Sequence, residues 1–356
     1  MKKTALYAVH KRLNARMVSF AGYEMPIQYR GIRDEHRSVR ASAGIFDVSH
    51  MGEIEIKGEN ALSMVQRITT NDAGILSIGQ AQYSVMCYPD GGIVDDLLVY
   101  RFPDHYLLVV NAANKEKDYK WICDNALDGC VINDFSDQIS QLAIQGKNSE
   151  QILQKLTKTD LSAIKYYWFV EGVLADVSMV ISRTGYTGEP GFELYVENKS
   201  AEKIWDAVME AGKPFNIEPV GLGARDSLRL EKRMCLYGND IDEKTNPLEA
   251  GLSWITRFEK GDFIGRDALV KIKNRGPEKK LIGFVLKETA FPRKGYTIIA
   301  GDEETGIVTS GTVSPITGQG IGLGYVKTKH AAAGNEIKIR IRETNYTAEI
   351  VKGPFV

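Results

Sequence analysis

The chain has 356 residues, 43% hydrophobic and 26% charged, with 45 Lys and Arg set against 46 Asp and Glu for a formal net charge of −1. A chain this long exceeds one compact core and predicts two or three domains, and so even a charge balance excludes the positive field that nucleic-acid phosphates require. No apolar run reaches the roughly 20 residues that span a bilayer, and Ala5 to Val9 is cut off by His10, Lys11 and Arg12 too soon for a secretory segment. Neither nucleic acid nor membrane is an expected partner.

Glu53 to Lys57 alternates as a strand, and Ala61 to Ile68 has helical spacing after a Gly-Glu-Asn turn. Pro89-Asp90-Gly91-Gly92 supplies a fixed negative φ, a side-chain acceptor and two residues free to take positive φ, which predicts a hairpin. The strand after it opens on two adjacent carboxylates. Alternation puts Asp95, Leu97 and Val99 on one face and Asp96, Leu98 and Tyr100 on the other, so one aspartate faces inward. Such a residue is either a local hydrogen-bonding cap or a chemical tool; Asp95 by itself reads as a solvent-facing strand-edge acid. Tyr106 to Val110 is a short apolar strand, and Lys115 to Ala126 reads as a helix.

A second α/β segment runs from Ile139 through a helix around Glu150 to Leu156, a hairpin of Val177 to Ile181 with Phe192 to Val196, and a helix from Ala201 to Ala211. The whole suits mixed, largely antiparallel sheets with helices on one face. Gly185, Gly188, Pro190 and Gly191 allow a tight, irregular connection, and the strand that follows rules out a dinucleotide fingerprint. Phe192, Leu194 and Val196 face one way, leaving Glu193 and Tyr195 on what reads as a polar outer face. Arg225 and Arg229 stand four apart, the spacing of a solvated helical stripe. Charge, glycine and proline collect from Lys273 to Lys280 and mark a domain boundary, and from Leu281 short glycine-broken apolar runs predict a small β-barrel or sandwich. Cys87, Cys123, Cys130 and Cys235 form no CxxC pair and no zinc-ligand spacing, so reduced thiols and no metal are expected.

Eight segments carry a family pattern: FAGYEMPIQY, FDVSHMGEIEIKG, GGIVDDLLVY, RTGYTGEPGFELY, GARDSLRLEKRMCLYGNDID followed by NPLEAGLSW, KGDFIGRDAL and TSGTVSPITGQGIGLGYV. In this order and spacing the chain resembles the aminomethyltransferases, or T-proteins, of the glycine cleavage system, from its first residues to its last. The resemblance implies an α+β chain of three domains around a central ligand hole. Residues 1–50 with 139–245 form a folate-binding α+β domain of split βαβ, ferredoxin-like character. Residues 51–138 with 246–278 form a second α+β domain carrying the Asp96 hairpin, and residues 279–356 form a C-terminal β-barrel or jelly-roll-like domain.

The reaction so implied transfers the carbon of an aminomethyl group, held on the dihydrolipoyl arm of a lipoylated H-protein, to tetrahydrofolate as ammonia leaves. It needs the folate held in place, positive charge stabilised at the moving carbon, and protons transferred between nitrogens. The family's motifs carry the catalytic role, and a folate contact, onto Asp96. They carry folate binding onto Glu193, whose carboxylate suits the amino-pyrimidone edge of a pterin, and onto Arg225, whose planar fork suits the carboxylates of the tail. Met51, Tyr83, Asn111 and Trp254 fall where the family lines the same cavity, and Tyr186 is placed to pack on the ring. The resemblance leaves no room for a presequence before it begins, which is expected of a bacterial cytoplasmic protein or an already mature organellar one; the cytoplasm is the expectation taken.

An alternative is the non-catalytic, folate-binding relative that assists iron–sulfur proteins, which carries a KGCYxGQE segment; residues 232–240 here read KRMCLYGND, without the glycine before the cysteine or the Gln-Glu after it. The folate domains of sarcosine- or dimethylglycine-oxidising flavoenzymes follow an N-terminal FAD domain with a GxGxxG unit, which this chain lacks. A module that only sequesters folate is not separated from an enzyme by motifs.

Overall fold

The alternating segments assemble into three main sheets in the structure, a computed structural model that describes residues 1–356. A six-stranded sheet has the order Phe169–Leu174, Val177–Ser182, Gly191–Glu197, Ile139–Gln145, Gly44–Asp47, Glu218–Pro219. It is antiparallel except at its last, parallel pair. A five-stranded sheet has the order Gln80–Cys87, Ile93–Arg101, His105–Val110, Gly52–Gly58, Cys130–Asp134. Six strands between Lys279 and Val351 close into the expected barrel. By its internal contacts the chain divides into two units: Met1–Val65, Ala73–Tyr83 and Leu97–Asp226 form the first, and Gln66–Asp72, Ser84–Asp96 and Ser227–Val356 the second.

The first unit packs Ile45, Leu142, Ile144, Phe192 and Leu194 of the six-stranded sheet against Trp205 and Val208 of the Ala201–Gly212 helix, all of them fully buried or nearly so. A buried carboxylate, Glu35, organises its far edge. One oxygen accepts from the backbone N–H groups of Tyr29, Arg30 and Gly31, and the other from Gly221 N at 2.9 Å. Donors that would otherwise be orphaned at two helix starts are satisfied by one anion. Gly221 has to be glycine, because a Cβ would lie 2.4 Å from the Ile27 carbonyl. The second of these helices, Leu222–Glu231, carries Arg225.

In the second unit the predicted turn closes with Tyr88 N donating to Gly92 O at 2.8 Å and Gly92 N to Asp90 Oδ1 at 3.0 Å. Gly91 alone takes positive φ (90°). Gly92 is needed for a different reason, since a Cβ there would meet the Glu243 carbonyl at 2.2 Å. That close approach lets residues 237–245 grip the start of the next strand: Ile93 N donates to Thr245 O and Tyr237 Oη donates to Ile93 O, both at 3.0 Å.

Four expectations need correction. Asp95 is 0% exposed, so the strand-edge acid on the solvent side is not Asp95; the half-buried neighbour is Asp96. Glu193 does not lie on a polar outer face, because its strand is central in its sheet and buried on both sides from Gly191 to Val196. Arg229 is no solvated stripe residue: it is 1% exposed, pairs with Asp240 at 2.6 Å and donates to Ser310 Oγ at 2.8 Å. The charged segment from Lys273 to Lys280 takes in the end of the helix Arg266–Arg275, the three residues 276–278 and the start of the first barrel strand, Lys279–Leu286. The helix from Lys115 also stops two residues early, at Asp124.

Asp240 accepts in addition from Thr309 Oγ1 and Leu236 N, so Arg229 and Asp240 tie residues 229–240 to the barrel. Removing one member of a buried pair strands the other charge. Arg229→Met is therefore expected to lower unfolding free energy by about 3–5 kcal/mol, measured by urea denaturation; a loss below about 1 kcal/mol would show that the pair contributes little.

Candidate functional site

Glu193 stands in the Gly191–Glu197 strand opposite Ser182 on one neighbour and Ala143 on the other, and is 4% exposed. A carboxylate taken this far from water needs compensation. Thr184 Oγ1 donates to its Oε2 at 2.5 Å. Burial raises its pKa, while Thr184, the positive charge of Arg225 and a hydrogen bond from Gln141 pull it back down. Behind Thr184 lies a run of hydroxyls: Tyr100 Oη is 3.1 Å from Thr184 Oγ1 and 2.9 Å from Tyr195 Oη, which accepts from Gln141 Nε2 at 3.1 Å. Burial raises the pKa of both tyrosines and keeps them neutral donors.

Arg225 completes the group. Its guanidinium carbon lies 4.8 Å from the centre of the Tyr186 ring, in cation–π range. It keeps some accessible surface, although burial lowers its pKa. Glu193 and Tyr186 offset that desolvation.

The loop that aims Tyr186 is pinned by Gln145, whose Nε2 donates to Thr184 O at 3.1 Å and whose Oε1 accepts from Thr187 Oγ1 at 2.9 Å. Here the glycines of RTGYTGEPG find their cause. A Cβ at Gly185 would strike the Gln145 amide at 2.0 Å, and one at Gly191 at 2.4 Å. Arg40 holds the far side of the loop, donating to Thr187 O at 2.7 Å and pairing with Glu189 at 2.9 Å.

Met51 packs against the cluster of Tyr100, Phe102, Phe169 and Tyr195. Its carbonyl accepts from Lys115 Nζ at 3.4 Å. Next to it His50 is 3% exposed, and burial lowers its pKa to about 3, with the charges of Arg225 and Lys115 adding to the effect. It is a neutral imidazole throughout the physiological range. Tyr83, on the Gln80–Cys87 strand, and Asn111, just before the 3₁₀ turn Ala112–Asn114, are half-buried residues of the first unit.

The structure thus brings Glu193, Arg225, Tyr186 and Met51 into one region of the first unit. Asp96 and Trp254 belong to the second unit. Asp96 is half-buried on the Ile93–Arg101 strand, and Trp254 is 57% exposed in the turn Ser253–Ile255. Thr184, Tyr100, Gln141 and Gln145 went unnoticed in the sequence. Tyr195 shares a strand face with Glu193, which was visible, but nothing local links it to Tyr100, 95 residues away.

Comparison with known proteins shows the family. Residues 6–260 match the family model described as the GCVT N-terminal domain, and residues 279–356 match the glycine cleavage T-protein C-terminal barrel domain. Aminomethyltransferases of Halothermothrix orenii and Bacteroides thetaiotaomicron are 50% and 52% identical over 357 and 361 residues, covering 100% of this chain and 100% and 99% of theirs. The crystal structure of glycine cleavage system aminomethyltransferase T from Bartonella henselae superposes with a TM-score of 0.93 at 31% identity, covering 100% of this chain and 98% of that one. The iron–sulfur-assisting relative is not favoured by any of these matches, and the chain belongs to the aminomethyltransferase, or T-protein, family of the glycine cleavage system.

Proposed function

We propose that this aminomethyltransferase takes S-aminomethyldihydrolipoyl H-protein and tetrahydrofolate as substrates and yields dihydrolipoyl H-protein, methylenetetrahydrofolate and ammonia. The observation that carries the folate half is the Glu193 carboxylate, deep in a sheet and compensated only in part, beside the Arg225–Tyr186 pair. A pterin fits that group. Its amino-pyrimidone edge offers two N–H donors to an ionised carboxylate, an aromatic ring stands alongside, and a guanidinium is at hand for a carboxylate of the folate tail.

Each residue then has a distinct task. Glu193 and Arg225 bind and orient the folate, with Tyr186, Met51, Tyr83, Asn111 and Trp254 lining its site. Asp96 supplies the negative charge that stabilises the moving carbon and takes up or returns a proton. Its strand start is held by the Gly92–Glu243 approach and the Ile93 hydrogen bonds, which suits a group that must not reorganise during the reaction. The lipoyl group is read as arriving on its carrier, as in the family the chain belongs to. No helix is long and apolar enough to cross a membrane; the reading sets the reaction in the cytoplasm. It also retains the three-domain division, whose last boundary near residue 278 agrees with the gap between the two family models.

Asp96→Asn is expected to leave folding and folate affinity within a few-fold of wild type while lowering turnover by about 10²-fold or more. A larger loss in Asp95→Asn would transfer the role to the buried neighbour.

Glu193→Ala and Arg225→Ala should each weaken tetrahydrofolate binding by roughly 1.5–3 kcal/mol in titration calorimetry, and Arg225→Lys should recover only part of the loss. Because Glu193 must be ionised to accept both donors and its pKa is raised, wild-type affinity should be complete above that pKa and fall as pH drops through it. Unchanged calorimetry in both alanine variants would remove the residues from the site.

The carrier half is tested with free dihydrolipoamide. Turnover with the lipoylated H-protein should exceed turnover with the free arm and weaken with added salt, as docking of an acidic carrier on a local basic patch requires. Equal efficiency of the two donors would overturn the partner assignment and leave the folate assignment standing.

A further inference from the structure

Both carboxylate oxygens of Glu53 and the amide oxygen of Gln141 lack hydrogen-bond partners, although Glu53 is 0% and Gln141 2% exposed. Orphaned buried polar atoms are rare, and each is costly unless something satisfies it. Both residues border the network that ends on Glu193: Gln141 donates to Tyr195 at 3.1 Å, and Glu53 is close enough to Tyr195 to act on it electrostatically.

The network has a direction. Glu193 Oε2 accepts from Thr184, so Thr184 can accept from Tyr100, Tyr100 from Tyr195, and Tyr195 from Gln141 Nε2. Ser182 joins as a branch, donating to Tyr100 Oη at 3.3 Å. With every donor pointing toward Glu193, the Gln141 amide must present its Nε2 to Tyr195, and its Oε1 is left wanting a donor.

We propose that Glu53 supplies that donor: as the neutral acid it hydrogen-bonds Gln141 Oε1, directly or through one enclosed water, and so heads a donor chain that ends on Glu193 and keeps Glu193 ionised inside its sheet. Burial raises the Glu53 carboxyl well above its ordinary range, opposed by Lys115 and assisted by Asp134 and Asp137, which favours the protonated form this role needs. Lys115 does not take its place. Its Nζ donates to Tyr23 Oη at 2.7 Å and to Met51 O at 3.4 Å, and its stem crosses Gly52, where a Cβ would meet it at 2.7 Å. Tyr23 and Tyr195 are the other titratable neighbours of Glu53, while Glu193 faces Arg225, Tyr100, Tyr166, Tyr167 and Tyr195. Glu53 is then a positioning residue for Glu193; its consequence for folate affinity rests on the proposed function, its effect on Glu193 does not.

The test is a carboxyl-detected NMR titration of the free, full-length chain, with the Glu193 signal assigned by its loss in Glu193→Gln. Glu53→Leu, of similar volume and with no polar atom, should raise the Glu193 midpoint by about half a pH unit or more, because the chain loses its first donor. Glu53→Gln, whose amide still donates, should restore it to within about 0.2 unit. Lys115→Met in each background controls for the charge left behind. A leucine variant that titrates like wild type, or a glutamine variant that shifts as far as leucine, overturns the proposal. Gln141 also hydrogen-bonds Glu193 itself, so the fallback keeps to Glu53: should Glu53→Leu not fold, Glu53→Met is read in its place, and an unmoved midpoint there overturns the proposal equally. Since the titration contains no folate, failure of wild type to bind tetrahydrofolate sinks the folate reading alone.

Discussion

The cost of keeping one carboxylate, Glu193, inside a β-sheet is the constraint on which the rest of the site depends. An ionised carboxylate in an apolar interior loses several kcal/mol of hydration that must be returned by hydrogen bonds and opposite charge. Thr184 returns part through a 2.5 Å bond and Arg225 part through its field. On the proposed function, the remainder is what a ligand with paired N–H donors supplies. An incompletely compensated anion is a poor stabiliser and a good receptor, which is why its surroundings are built so rigidly.

Other buried anions of the same unit behave differently. Glu35 accepts from four backbone N–H groups and draws two helix starts together. Asp47 accepts from Thr4 Oγ1 at 2.6 Å and from Ser49 N at 2.9 Å, and lies 2.8 Å from His10 Nε2; these partners hold its pKa below the ordinary value against the effect of burial. Both have their lone pairs filled by the chain itself, and both act as joints of the fold. Glu35 and Asp47 thus hold structure, whereas Glu193, whose pKa stays raised, and Glu53, whose oxygens have no hydrogen-bond partner, border the network around the site.

Rigidity at the site comes from small residues as much as from polar ones. Gly185 and Gly191 make room for the Gln145 amide, Gly52 for the stem of Lys115, Gly92 for the Glu243 carbonyl and Gly221 for Ile27. None of these five is needed for positive φ. Each permits a side chain or a carbonyl from a distant segment to approach a backbone more closely than a Cβ allows, and each lies within a few residues of a proposed site residue.

Much was legible in the chain order of residues. Period-two alternation located the strands around Asp96 and Glu193, turn chemistry located the hairpin at Gly91, glycine-broken apolar runs announced the barrel, and the motif series led to the family. These signals are local, or sums of local signals, and local geometry follows from neighbouring side chains. Whether a charged residue lies in or out is not local. Arg229 looked like surface because helical spacing records only which residues share a face, and the fold then covered that face with Asp240 and Ser310. Glu193 looked like surface because alternation distinguishes two faces of a strand without saying that both are covered. Asp95 and Asp96 were indistinguishable until a sheet gave their faces different neighbours. The sequence by itself determined the elements, the barrel and the family; only the tertiary structure decided which charges are buried and what compensates them, because desolvation depends on everything that surrounds a group and not on what precedes or follows it in the chain.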